Sequence, residues 1–213
     1  MHLGLVGAWQ LMLVCRAACA GAKEFLATLP RLVVCGGQTG GGGPVSDVRR
    51  LDLATLRWET MPSLLLAREN HACCTVRGAL VVLGGDASGG EVTSSIEMLS
   101  KGKEAFTALP PLSCGESTVS AAVTVEESGS IAGQVLLLGG CKDNHGVMST
   151  VHLVDLATGV CTPQPNLHVV VIIVARGRFV AARLPDGCVV CTGGYEDGNY
   201  EILSCAEILE PPA

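Results

Sequence analysis

Basic charge, aromatic side chains and long apolar runs are all in short supply in this sequence. Fourteen Lys and Arg stand against twenty Asp and Glu, a formal net charge of −6. A polyanionic partner such as DNA or RNA is therefore not expected. No uncharged apolar run reaches the ~18 residues of a membrane-spanning helix, although "LHVVVIIVA" (167–175) comes partway, and no membrane partner is expected. Aromatics are 3% of the chain and charged residues 16%. There is no G-x-S-x-G nucleophile elbow, and no carboxylate pair recurs in a catalytic setting. The eleven cysteines are odd in number and spread without pattern from Cys15 to Cys205, which is not the signature of a disulfide framework. Many lie in apolar runs such as "LVVCGG" and "CVVCTGG", where a thiol behaves as a small buried hydrophobe. A reduced, cytoplasmic chain is the expectation.

Glycine, by contrast, is plentiful. The 27 glycines in 213 residues exceed the roughly 7% of average usage and point to many turns rather than long helices. The length suits one domain with a sizeable core. Four apolar runs end in a glycine pair: "RLVVCGG" (31–37), "ALVVLGG" (79–85), "QVLLLGG" (134–140) and "CVVCTGG" (188–194). Their second glycines are Gly37, Gly85, Gly140 and Gly194, so the interval runs from 48 to 55 residues. Such a period fits a four-stranded propeller blade and exceeds most helical solenoid repeats.

The register beyond each pair is tighter than the period. Asp47, Ser95 and Thr150 stand at one offset from the second glycine, Asp52, Ser100 and Asp155 at another, and Trp58, Phe106 and Cys161 at a third. The fourth unit follows with one extra residue, "SCAEILE" (204–210) aligning with "SSIEMLS" (94–100). The apolar run reads as a buried strand, and the glycine pair permits a sharp turn with close backbone approach. A second strand carries Val48, Ile96 and Val151, followed by a polar turn ("DLATLR", "SKGKEA", "DLATGV") in which Asp or Ser caps its own backbone. An outer strand begins near the Trp58 position. Upstream, "ARENHACCTV" (67–76) and "ARGRFVAARL" (175–184) supply the approach to a further strand, giving four per unit.

With these features in place, the sequence resembles the kelch repeat family. The resemblance rests on the glycine pairs, on "SDVRRLDLATLRW" (46–58) and on the Arg-x-x-[His/Phe]-[Ala/Val] segments, and it covers nearly the whole chain. It implies an all-β fold, a kelch-type β-propeller of about four four-stranded blades. The units run roughly 15–63, 64–111, 112–166 and 167–213, with 7–14 as an orphan outer strand. The family's usual tyrosine before the turn acid is replaced by Leu51, Leu99 and Val154, and the tryptophan position by Phe106 and Cys161.

Other chemistry fares poorly. "GGQTGGGGP" (36–44) lacks the Lys-Ser or Lys-Thr of a phosphate loop and opens no helix, so it reads as a flexible loop. Cys188 and Cys191 are three apart in a strand and point to opposite faces, which opposes shared metal ligation; Cys73 and Cys74 do likewise. Cys15-x-x-x-Cys19 is the best candidate for a second ligand pair, and no zinc site is expected. The five histidines lie in different repeats without ligand spacing, and His71 occupies the position of Phe179. Copper-radical oxidases use kelch-like propellers with tyrosine and histidine ligands, but Tyr195 and Tyr200 fall in one loop. No metal and no cofactor is expected.

The resemblance places ligands at loops on one face, including the approach to the innermost strand. Those positions are Arg68 and Asn70, with Arg176 and Arg178 in the last unit. Converging arginines favour an acidic peptide. The expected function is a non-catalytic protein–protein interaction module or scaffold, with substrate recognition in a ubiquitin ligase complex as one form. No BTB or F-box segment fits within these residues, so an adaptor role calls for another chain. A sugar epimerase of the kelch-like type is the enzymatic rival, with Arg68, Glu116 and Arg178 as poor acid–base material. A fragment of a longer kelch protein is a third reading.

"GAWQLMLVCRAACAGA" (7–22) resembles a secretory signal but lacks a basic start. Trp9 stands 27 residues before Gly36 much as Trp58 stands 26 before Gly84, and Cys15–Ala20 reads like Ala67–Ala72. The expectation is therefore a closing strap: Trp9 on an outer strand that pairs with the strand around Ala206–Leu209, within the chain or across a homodimer.

Overall fold

The computed structural model describes residues 16–29, 31–115, 121–125, 133–141, 147–164, 179–184, 188–195 and 202–209, together with Ala8, Met12 and Asp186. Helix α1 (Arg16–Thr28) leads into β1 (Leu32–Cys35). A short hairpin, β2 (Gln38–Thr39) and β3 (Gly43–Pro44), precedes β4 (Val48–Asp52) and β5 (Arg57–Met61). The next four strands are β6 (Ala72–Val76), β7 (Ala79–Leu83), β8 (Ile96–Leu99) and β9 (Thr107–Leu109). Four more follow: β10 (Ala121–Val125), β11 (Gln134–Cys141), β12 (Val147–Asp155) and β13 (Cys161–Pro163). The last are β14 (Val180–Arg183), β15 (Val189–Thr192) and β16 (Ala206–Leu209). The chain forms two compact units, one from residues 1–35 and 47–63, the other from 36–46 and 64–213.

The first unit holds α1 and the antiparallel sheet β1-β4-β5. The helix corrects the expectation that Cys15–Ala20 leads into a strand. Five of its thirteen residues are alanine, the strongest helix former, and no β-branched residue appears before Thr28. Ala22 and Leu26, four apart on one face, are both 3% exposed. Pro30 follows the last turn, where it cannot continue the helix. In the sheet, Arg50 and Glu59 face each other across β4 and β5 and form an ion pair.

The second unit stacks three antiparallel sheets: β6-β7-β8-β9, β10-β11-β12-β13 and β14-β15-β16. Period-two alternation explains how the middle sheet serves two cores at once. Ala122, Val135, Leu137 and Val154 meet Val76, Val81, Leu83 and Ile96 of the preceding sheet. Their neighbours Ala121, Val123, Leu138 and Val151 meet Phe179, Val189 and Cys191 of the following one. A strand covered on both faces reads as an unbroken apolar run, as β11 does over Val135–Leu138.

The repeat register in the sequence is the pairing register of the sheets. The residue three before the second glycine pairs across to the second strand in all four: Val34↔Arg49, Val82↔Glu97, Leu137↔His152 and Cys191↔Glu207. The glycine pairs share one conformation, with φ of 57°, 59°, 57° and 72° at the first and 97°, 99°, 117° and 92° at the second. These are left-handed values that disfavour a side chain. Asp52 Oδ1 accepts the Ala54 and Thr55 amides at 2.7 and 3.3 Å, and Asp155 Oδ1 accepts those of Ala157 and Thr158 at 2.8 and 3.2 Å. The two "DLAT" turns thus cap themselves as their sequence predicts. The Ala54 amide, then the Thr55 side chain, hold the Asp52 carboxyl below its ordinary value.

Strands β5, β9 and β13 begin at or beside Trp58, Phe106 and Cys161. Phe106 is buried, whereas Trp58 is half exposed. Strand β16 pairs with β15; Trp9, and with it the strap pairing, lies outside the described residues.

A Cβ on Gly85 would meet the Glu69 carbonyl oxygen at 2.5 Å and His71 Cβ at 2.7 Å, while one on Gly89 would meet nothing within 4 Å. Both glycines have positive φ. Gly85→Ala is expected to lower the unfolding free energy by about 3 kcal/mol, and Gly89→Ala by only about 1 kcal/mol. Urea denaturation of the two variants checks this; equal losses contradict it.

Candidate functional site

The densest polar cluster gathers around Arg68, in the segment that leads into β6. Arg68 is 0% exposed and Glu97 is 2% exposed. The guanidinium donates from Nε to the Leu66 carbonyl at 3.4 Å and from Nη1 to the Gly84 and Ser95 carbonyls at 2.8 and 3.2 Å. Its Nη2 donates to Ser95 Oγ at 2.7 Å and to the Glu97 carboxylate. That occupies all five of its N–H groups. Glu97 also accepts the backbone amides of Leu65 at 2.6 Å and Leu66 at 3.0 Å. The cluster ties the approach segment, the glycine turn after β7, and β8 into one buried network.

This placement revises the expected rim. Arg68 is an internal fastener with no donor directed to a ligand, because leaving a buried guanidinium unpaired costs far more than a strand-end charge gains. Asn70 takes a left-handed φ of 50° and donates from Nδ2 to Asp86 Oδ2 at 2.7 Å. That bond supports the Glu69↔Asp86 bridge. Arg176, Arg178 and Glu116 lie outside the described residues.

A cleft of about 710 Å³ opens elsewhere on the same strands, at the carboxyl ends of β6, β10 and β14. These innermost strands of successive sheets are neighbours, and Thr124 Oγ1 donates to the Thr75 carbonyl at 2.6 Å across the first gap. Arg77, in the turn after β6, and Arg183, the last residue of β14, are the charged residues among the described residues of its lining, which include no carboxylate and no histidine. Asn70 and Arg77 flank opposite ends of β6. Cys73 is exposed and Cys74 half buried, on opposite faces as expected of adjacent strand residues. Burial, then the neighbouring Cys73, pushes the Cys74 thiol up to about 12, which leaves it a poor nucleophile. Cys191 is buried in β15 and Cys188 only partly so.

Sequence reasoning missed Arg77 and Arg183 because it looked to the start of the innermost strand rather than its end. The available signal was positional: "TVRG" places Arg77 directly after the strand, and "AARL" closes β14 on Arg183.

Face-stacked antiparallel sheets, built outward from neighbouring innermost strands, are the blades of a propeller-type all-β fold. Residues 29–65 and 67–113 each match the Kelch motif, so kelch repeats occupy this part of the chain. A comparison with curated proteins finds no match. Kelch repeats generally mediate protein–protein interaction.

Breaking the Arg68–Glu97 pair from either side strands a buried charge. Arg68→Met and Glu97→Leu are each expected to cost about 3–5 kcal/mol of stability. The double variant loses clearly less than the sum, with a coupling of about 2 kcal/mol or more. A double-mutant cycle by denaturant unfolding measures this, and additive losses contradict it.

Proposed function

We propose that the chain is a non-catalytic protein-interaction module that seats an acidic segment of its partner in the cleft at the ends of β6, β10 and β14. The observation that carries this reading is that Arg77 and Arg183 both line the cleft, whose described lining residues include no carboxylate. Guanidinium groups form bidentate, charge-assisted hydrogen bonds with carboxylates. Thr75 and Thr124 add hydroxyls to the same wall. The reading keeps the acidic partner first assigned to the Arg68 rim but moves its contacts to the opposite end of the innermost strands.

Within this reading the partner is a cytoplasmic protein, and the chain serves as a scaffold or as the substrate-recognition part of a ubiquitin ligase complex whose adaptor segment is carried elsewhere. A homodimer is compatible with such a role. Sugar epimerisation finds less support, because the described lining residues offer no carboxylate or histidine for proton transfer and Arg68 is committed to Glu97.

Fluorescence anisotropy with a panel of labelled acidic, neutral and basic peptides tests the proposal. Acidic peptides are expected to bind best, and more weakly as salt rises. Arg77→Asn, which suits the left-handed φ of 51° at that turn, and Arg183→Gln are each expected to weaken binding about tenfold or more. Equal binding across the panel, or affinity insensitive to both variants, contradicts the proposal.

A further inference from the structure

Two thiols that the interaction reading does not use lie together in the second unit. Cys161 opens β13, at the repeat position that holds Trp58 and Phe106 in the earlier units. Cys114 lies in the linker between the second and third sheets. Ser113 fixes that linker against β13: its amide donates to the Gly159 carbonyl at 2.9 Å, and its Oγ accepts the Cys161 amide at 2.8 Å. A Cβ on Gly159 would meet the Pro111 carbonyl oxygen at 2.1 Å, so the linker backbone lies directly on the turn before β13. Both cysteines are reduced and half buried, and both pack against the same apolar core. The Cys161 thiol donates to the Gly159 carbonyl at 3.6 Å, beside the amide that holds Ser113 and its neighbour Cys114 in place.

We propose that Cys114 and Cys161 are a peroxide-sensitive dithiol that closes to a disulfide, locking the linker between the second and third sheets onto β13. The Cys161 thiolate attacks one oxygen of hydrogen peroxide, breaking the O–O bond and leaving a sulfenic acid and hydroxide. The Cys114 sulfur then attacks the Cys161 sulfur, forming the S–S bond and expelling the sulfenic oxygen as hydroxide. The two thiol protons and the two hydroxides make two waters, so two thiols are oxidised and one peroxide is reduced. The roles follow from the surroundings. The nearby Cys114 thiol, opposed by burial and helped less strongly by the Cys114 amide and by Ser113, holds Cys161 below the ordinary thiol value. The nearby Cys161 thiol and then burial hold Cys114 above it, so Cys161 attacks and Cys114 resolves. Reduction by a small dithiol reopens the pair.

The test treats the full chain with hydrogen peroxide near neutral pH, followed by mass spectrometry of a non-reducing digest. A peptide joining Cys114 to Cys161 is expected before oxidation products at Cys74 or Cys205, and dithiothreitol reverses it. Cys114→Ser leaves Cys161 as a sulfenic acid that dimedone traps, whereas Cys161→Ser gives no trapped adduct at Cys114. Iodoacetamide alkylates Cys161 in the untreated chain about tenfold faster than Cys74. Oxidation elsewhere without a 114–161 link, or equal alkylation of the two thiols, overturns the proposal.

Discussion

The second unit depends on a guanidinium with no access to water. Arg68 and Glu97 are both buried, and two charges in a low-dielectric interior are tolerable only when every donor and acceptor is engaged. The backbone supplies most of what is needed. Carbonyls of Leu66, Gly84 and Ser95 surround the guanidinium, while the amides of Leu65 and Leu66 complete the carboxylate. The Arg68 carbonyl in turn accepts the Gly37 amide at 2.8 Å. An approach segment without secondary structure of its own is thereby held as firmly as a strand, and it delivers β6 to its innermost position.

Once β6 is set, apolar alternation and glycine geometry build the rest. The middle sheet divides its residues between two cores, so each added sheet buries the exposed face of the one before. The glycine pairs turn the chain where another segment crosses it closely; at Gly36 and Gly85 the crossing backbone leaves no room for a Cβ. This arrangement puts the ends of the innermost strands side by side and opens the cleft between Arg77 and Arg183. The cleft follows from the stacking, and its charge from Arg77 and Arg183 at the ends of β6 and β14.

The sequence announced the sheets more clearly than the side chains' duties. Val34, Val82, Leu137 and Cys191 stand at one offset from a glycine and at one register in their sheets, because strand pairing is fixed by local periodicity and turn length. Asp52 and Asp155 were equally legible, since an Asx-type cap acts within three residues. Arg68 was legible as a position but not as a role: its partner Glu97 is 29 residues away, and no local pattern states that both charges are buried. The helix over 16–28 was missed because an apparent match of "CRAACA" to "ARENHA" outweighed its alanine content. Arg77 and Arg183 come together only through the packing of three separate sheets, which sequence spacing does not express.

Leu65 and Leu66 give the most direct test of this account. Their side chains are 59% and 36% exposed and they lie outside any strand, yet their amides donate to the buried Glu97 carboxylate. Native-state hydrogen exchange should find these two amides protected to the level of β7, because opening them requires opening the Arg68–Glu97 network. Exchange at the rate of an exposed loop, with β7 still protected, would contradict the claim that this buried pair holds the unit together.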